Sequence, residues 1–148
     1  MSKNENITLA LDCGSTNLKA ALFDARLHCI ARGSVPVTYS AADGVIAELN
    51  PAQLWQSTVD LIQQTCRDAA IASPRIDTLA LTSQAQTFSL LGPNGAPLIP
   101  FISWLDTRAE AEAAFLKQKL GPDFHRHSSF AYPLAGLQLA NLLWLHRH

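Results

Sequence analysis

The densest chemistry in the chain lies in Asp12-Cys13-Gly14-Ser15-Thr16-Asn17-Leu18-Lys19, where a carboxylate, a glycine, short polar side chains and a cation follow one another. Such a set can hold phosphate. Glycine lets the backbone turn tightly and expose an amide, Ser15, Thr16 and Asn17 offer short donors, and Lys19 supplies positive charge. Asp12 is placed to hold Mg²⁺ or its waters, because that ion takes one or two carboxylates together with substrate phosphates. Ile7-Thr8-Leu9-Ala10-Leu11 alternates with period two and Leu18 to Phe23 resumes an extended pattern, so the loop joins two strands. Neither the Walker spacing nor the dinucleotide fingerprint, which seat phosphate at the start of a helix, occurs here. The same residues also suit an ordinary tight polar hairpin, and the loop alone leaves both readings open.

The elements that must position this loop follow from periodicity and punctuation. Strands are expected at Ile7 to Asp12, Leu18 to Asp24 and roughly Leu27 to Thr38, forming a meander. Asn50-Pro51-Ala52-Gln53 then combines a capping residue, a proline at the first helical position and a glutamine three residues after the cap. The helix it opens carries Trp55, Val59, Ile62, Cys66 and Ala69 as its expected buried stripe and stops at Ser73-Pro74. Ile76 to Thr82 returns as a strand that rejoins the sheet after the helical crossover. Three antiparallel strands, a helix and a fourth strand is the ribonuclease-H-like order. A second hairpin is expected from Phe88-Ser89-Leu90-Leu91 and Leu98 to Ile102 around Gly92-Pro93-Asn94-Gly95. Thr107-Arg108-Ala109-Glu110 fits a capping box for a helix reaching Leu120 before Gly121-Pro122. A last amphipathic helix begins near Gly136 and carries Leu139, Leu142 and Leu143.

Composition bounds the partners. The 148 residues are 48% apolar and 16% charged, enough for one globular domain with a real core. A net charge of -1 provides no basic field, so neither nucleic acid nor an anionic membrane is expected as a partner. Met1 to Asn6 is polar and holds no signal-peptide core, and the greasy stretch Leu137 to Leu145 is too short to span a bilayer. Cys13, Cys29 and Cys66 form an odd set with no Cys-x-x-Cys spacing, which argues against a disulfide framework or structural zinc and fits a reducing, cytoplasmic setting. Cys13, inside the loop, would be reactive if nearby donors lowered its pKa, but it reads as a buried, inert thiol. His125 with His127 and His146 with His148 lack metal-binding partners at suitable spacing and read as surface residues.

Four segments in order resemble the N-terminal part of the FGGY family of carbohydrate kinases. Asp12 to Lys19 with Phe23-Asp24 is similar to that family's opening phosphate motif, and Glu48-Leu49-Asn50-Pro51 with Trp55 to the start of its first helix. Pro93-Asn94-Gly95 followed by Ile102-Ser103-Trp104-Leu105-Asp106-Thr107-Arg108 resembles its Trp-x-Asp-x-Arg segment, and Asn141-Leu142-Leu143-Trp144-Leu145 its leucine-rich helix. The resemblance implies an α/β, ribonuclease-H-like domain of the actin-like ATPase type, a mixed sheet with flanking helices, truncated at its C-terminus within residues 1–148. It implies ATP and Mg²⁺ as cofactors and a sugar or polyol as substrate. Asp12 would handle the metal, Gly14, Ser15, Thr16, Asn17 and Lys19 the nucleotide phosphates, and Gln84, Gln86, Trp104, Asp106 and Arg108 the sugar. Ala85 and Gln86 stand where the xylulose-kinase branch carries methionine and histidine, so the loop does not assign that sugar.

The residues themselves admit plainer roles. Trp104 suits a core aromatic, Asp106 a helix cap, and Gln84 and Gln86 the satisfaction of loop backbone groups. Arg108 at a helix start sits badly with the dipole unless something anionic compensates. The family's proton-accepting aspartate lies downstream of the matched segments, so the chain alone is expected to be inactive and to lack a second domain. Apolar faces such as Leu139 and Leu143 would then lack partners and favour self-association. A non-catalytic, nucleotide-responsive actin-like module would share Asp12 to Lys19 but has no need of Trp104, Asp106 and Arg108 together. A truncated gene product with only a structural role is a third reading.

Overall fold

The computed structural model describes residues 6–72 and 75–148, and the helix stop expected at Ser73-Pro74 falls outside them. In chain order the elements are β1 (Ile7–Cys13), β2 (Asn17–Phe23), β3 (Cys29–Pro36), β4 (Ala41–Ala42), β5 (Ala47–Leu49), α1 (Pro51–Asp68), β6 (Ile76–Ser83), β7 (Phe101–Ile102), α2 (Glu110–Leu120), α3 (Asp123–Ser128) and α4 (Gln138–Arg147). They fall into two compact units. The first comprises Met1–Thr38 with Ala52–Gln84, the second Tyr39–Pro51 with Ala85–His148.

The first unit is built on a four-stranded sheet in the order β3-β2-β1-β6. β1 pairs antiparallel with β2, β2 antiparallel with β3, and β1 parallel with β6, as a helical crossover between the meander and the fourth strand requires. Ile7, Leu9 and Leu11 on β1 and Leu18, Ala20 and Leu22 on β2 share one buried face with Leu61 and Cys66 of α1. This is the mixed α/β, ribonuclease-H-like arrangement that the strand order implies.

The buried stripe of α1 differs from the one its apolar residues suggest. Trp55 is 69% exposed, whereas Thr58, Leu61, Thr65 and Cys66 are buried. Thr58 Oγ1 donates to the Leu54 carbonyl and Thr65 Oγ1 to the Leu61 carbonyl, both at 2.8 Å. With its hydroxyl satisfied inside its own helix, each threonine is buried at no cost in unpaired polarity. An apolarity pattern passes over such residues.

The second unit carries a small sheet, β4-β5-β7, that periodicity does not reveal because its strands are two and three residues long. The hairpin expected between Phe88 and Ile102 forms through isolated bridges, Phe88 to Ile102 and Leu91 to Pro97, and β7 itself pairs with β5. Gly95 N donates to Gly92 O at 2.9 Å within the turn. Helices α2 and α4 meet through Ala109, Ala113 and Ala140, with Leu116 and Trp144 packed around them.

One local expectation needs correction. Thr107 does not cap α2: the helix follows Ala109 with no side-chain cap, and Thr107 Oγ1 donates to Val45 O at 3.4 Å. Tertiary contact with the β4–β5 turn outcompetes the local cap. His125 and His127, read from sequence as surface residues, are exposed and lie on the short helix α3. Leu139 and Leu142 of α4 are 46% and 44% exposed, while the helix buries Ala140 and Asn141.

Candidate functional site

In the first unit the loop between β1 and β2 is held from both sides. Gln84, just past β6, donates its backbone N–H to Cys13 O at 3.0 Å and its Nε2 to Gly14 O at 3.4 Å. Beyond β3, Val37 N donates to Thr16 O at 2.9 Å. A Cβ on Gly14 would lie 2.9 Å from Asn17 O, so only glycine lets the hairpin close this tightly. The turn that Gly14 permits leaves Thr16 exposed and Ser15 and Asn17 half-buried.

The strand register puts Asp12 directly opposite Lys19, and Lys19 Nζ donates to Asp12 Oδ2 at 3.2 Å. Their side chains are 38% and 59% exposed. Both stand on the sheet face away from the core, in an open groove of about 630 Å³ that also takes in Arg32, Ser34 and Thr82. An exposed pair of this kind is worth little to stability and readily exchanges partners. One carboxylate beside a tight, donor-bearing turn fits Mg²⁺ brought in on nucleotide phosphates, an ion that does not need an all-protein cage. Beside it, burial and the Asp12 charge push the Cys13 thiol up, which keeps it protonated.

The second unit gathers Trp104, Asp106 and Arg108 in a different way. Asp106 is fully buried. It accepts from Ala47 N at 2.8 Å, Arg108 N at 3.0 Å, Arg108 Nε at 2.9 Å and Arg108 Nη2 at 2.7 Å. Burial works to raise its pKa, but the guanidinium fork and the two backbone amides outweigh it and hold the carboxyl below the usual aspartate value. The same Arg108 nitrogen reaches Glu48 Oε1 at 2.6 Å, and the guanidinium lies over the Trp144 ring, 5.2 Å from its centroid. The Asp106 hydrogen bonds, with the Glu48 contact, hold the Arg108 pKa above its ordinary value despite burial. The anionic compensation that Arg108 demands at a helix start is therefore supplied by Asp106 and Glu48.

Trp104 and Leu105, each 47% exposed, form the tip of the turn that Asp106 closes. Gln86, in a left-handed conformation at φ 63°, accepts from Gln138 N through Oε1 at 3.2 Å and so supplies α4 with the cap that Leu137 does not. Thus Gln84 supports the phosphate-type loop of the first unit, while Gln86, Trp104, Asp106 and Arg108 belong to the second. Glu48 and Gly136 also organise the second unit's segment without having been given a site role from sequence, as does Thr87 at the end of the loop that carries Gln84 and Gln86.

The FGGY family of carbohydrate kinases, N-terminal domain, matches residues 7–148. The chain belongs to this family. Among curated FGGY relatives, a glycerol kinase of Chelativorans sp. (strain BNC1) is 32% identical over 80% of this chain and 24% of its own length. A probable L-xylulose kinase of Haemophilus influenzae (strain ATCC 51907 / DSM 11121 / KW20 / Rd) is 34% identical over 68% of this chain and 21% of its own. The crystal structure of a xylulose kinase from Rhodospirillum rubrum superposes with a TM-score of 0.80 at 26% identity, covering 97% of this chain and 29% of that one. The chain thus spans less than a third of the length of these FGGY proteins. Among the described residues no helix is long and apolar enough to cross a membrane.

Proposed function

We propose that this chain is the N-terminal part of the first domain of an ATP-dependent sugar or polyol kinase that acts in the cytoplasm. The observation that carries the proposal is the Gly14 hairpin, with Asp12 and Lys19 paired, exposed and adjacent to short donors, in a chain of the FGGY family. In this reading Gly14 to Asn17 and Lys19 hold nucleotide phosphates and Asp12 holds Mg²⁺ or its waters. MgATP would supply the transferable γ-phosphoryl group, with the metal neutralising charge on its oxygens. On the sugar side the reading takes Gln86 and Trp104 of the second unit, with Asp106 and Arg108 behind them and the half-exposed Trp104 offering an aromatic face to a carbon skeleton. Deprotonation of the acceptor hydroxyl is assigned to no residue of this chain, and the remainder of the kinase is its expected partner.

The relatives named for glycerol and L-xylulose support a polyol or sugar as acceptor without selecting one. Calorimetric titration with MgATP, glycerol and a panel of pentoses and hexoses tests the reading. Binding of MgATP that is lost in Asp12→Ala, together with polyol binding that survives that change, is the expected result. Absence of binding for every nucleotide and every polyol would overturn it.

A further inference from the structure

The buried Asp106–Arg108 pair is saturated by its own neighbours, yet it sits under an exposed aromatic residue. Asp106 N donates to Ser103 O at 3.0 Å, closing a turn whose two ends, Ser103 and Asp106, are fully buried and whose tip is Trp104-Leu105. Each member of that turn is separately fixed. Ser103 N donates to Ala47 O at 2.9 Å, Trp104 N to Thr87 Oγ1 at 3.2 Å, Leu105 N to Ser103 Oγ at 3.2 Å and Thr107 N to Val45 O at 2.8 Å. Gly136 packs against the Trp104 carbonyl so closely that a Cβ there would overlap it. Ala47 N, meanwhile, goes to Asp106 Oδ2, so strand β5 grips the turn through its carbonyl at one end and its amide at the other.

We infer that Asp106, Arg108 and Glu48 are positioning residues: through β5 and Ala47 they hold rigid the Trp104-Leu105 tip, the exposed part of this segment. This rests on the proposed sugar-side reading and refines the roles of Asp106 and Arg108 within it. A direct sugar contact from Asp106 would require it to release donors while remaining inside the protein, where an unpaired carboxylate is costly. The bidentate fork matters as much as the charge. A lysine at position 108 can carry the charge but cannot match both carboxylate oxygens at once.

Backbone ¹⁵N relaxation on the chain tests the inference. In the unaltered protein the Trp104 and Leu105 amides should give order parameters near ~0.85, the value of rigid backbone. Arg108→Lys should lower them toward ~0.6 while amides at Ala113 and Ala140 keep their order, a pattern that general loss of stability does not produce. Glu48→Gln, which keeps an acceptor for Arg108, should fall between the two. Unchanged order at Trp104 and Leu105 in a folded Arg108→Lys protein overturns the inference. So does loss of the fold in both variants, because the residues then support the whole unit rather than this turn. A titration of the unaltered chain with glycerol and D-xylulose separates the two proposals. No shift at Trp104 with either would defeat the sugar reading and leave the rigid turn standing.

Discussion

Two aspartate–cation pairs, one in each unit, show how burial divides the labour of the same chemistry. Asp12 and Lys19 face each other across a hairpin at 3.2 Å with 38% and 59% of their side chains exposed, whereas Asp106 and Arg108 share a fork with side-chain exposures of 0% and 11%. Water already satisfies the first pair, so each member can trade its partner for a ligand at small cost. The second pair has lost its water and is completed by backbone amides and Glu48, so trading partners there means exposing a buried charge. The open pair is equipped to bind, the closed pair to hold a shape.

The sharpest break of this comparison is removal of one buried partner. Asp106→Ala should cost about 3–5 kcal/mol, because the guanidinium is left partly buried with its main partner gone. Urea unfolding followed by Trp fluorescence and by circular dichroism reads that loss. The pH dependence has a defined sign. The folded Asp106 is held below its unfolded value of about 3.9, so its stabilisation is complete above that pH and is lost as pH falls through the lower folded value. Asp24 and Asp43, whose carboxylates accept backbone amides, titrate in the same direction, so the Asp106 share is the acid-limb difference between the parent and Asp106→Asn.

A smaller break comes from the packing beneath Trp104. Gly136→Ala forces the backbone of one loop off the other and should destabilise by about 1–3 kcal/mol, measured as a shift in the urea midpoint. Gln86→Ala removes the cap from α4 and should cost about 1 kcal/mol, with amide hydrogen exchange accelerated at Gln138 first. Lys19→Ala sharpens the other side of the comparison. It should change stability by less than about 1 kcal/mol, and what little it changes should fade with added salt. A large, salt-independent loss on Lys19→Ala would mean that the exposed pair is structural as well.

Much of the first unit was legible in the sequence because its strands alternate cleanly and its helix opens on Asn50-Pro51. The order of strands and the hairpin at Gly14 followed from that. What escaped is instructive. Thr58 and Thr65 face the core because their hydroxyls bond to their own helix, a solution no apolarity pattern reports. β4, β5 and β7 are too short to carry a period, so the grip of Ala47 and Glu48 on Asp106 and Arg108 was invisible until long-range pairing brought them together. Arg108 at a helix start calls for an anion that the local sequence does not identify, and the structure shows Asp106 and Glu48 in that place. Thr107 failed as a cap for a related reason, since its partner Val45 lies far away in sequence.

The most direct test is a ¹⁵N–¹H correlation titration of the chain with MgATP. The account predicts shifts concentrated at Gly14, Ser15, Thr16, Asn17 and Lys19, lost in Asp12→Ala, with Asp106 and Arg108 unmoved. Shifts at Asp106 and Arg108 with none between Gly14 and Lys19 would contradict it.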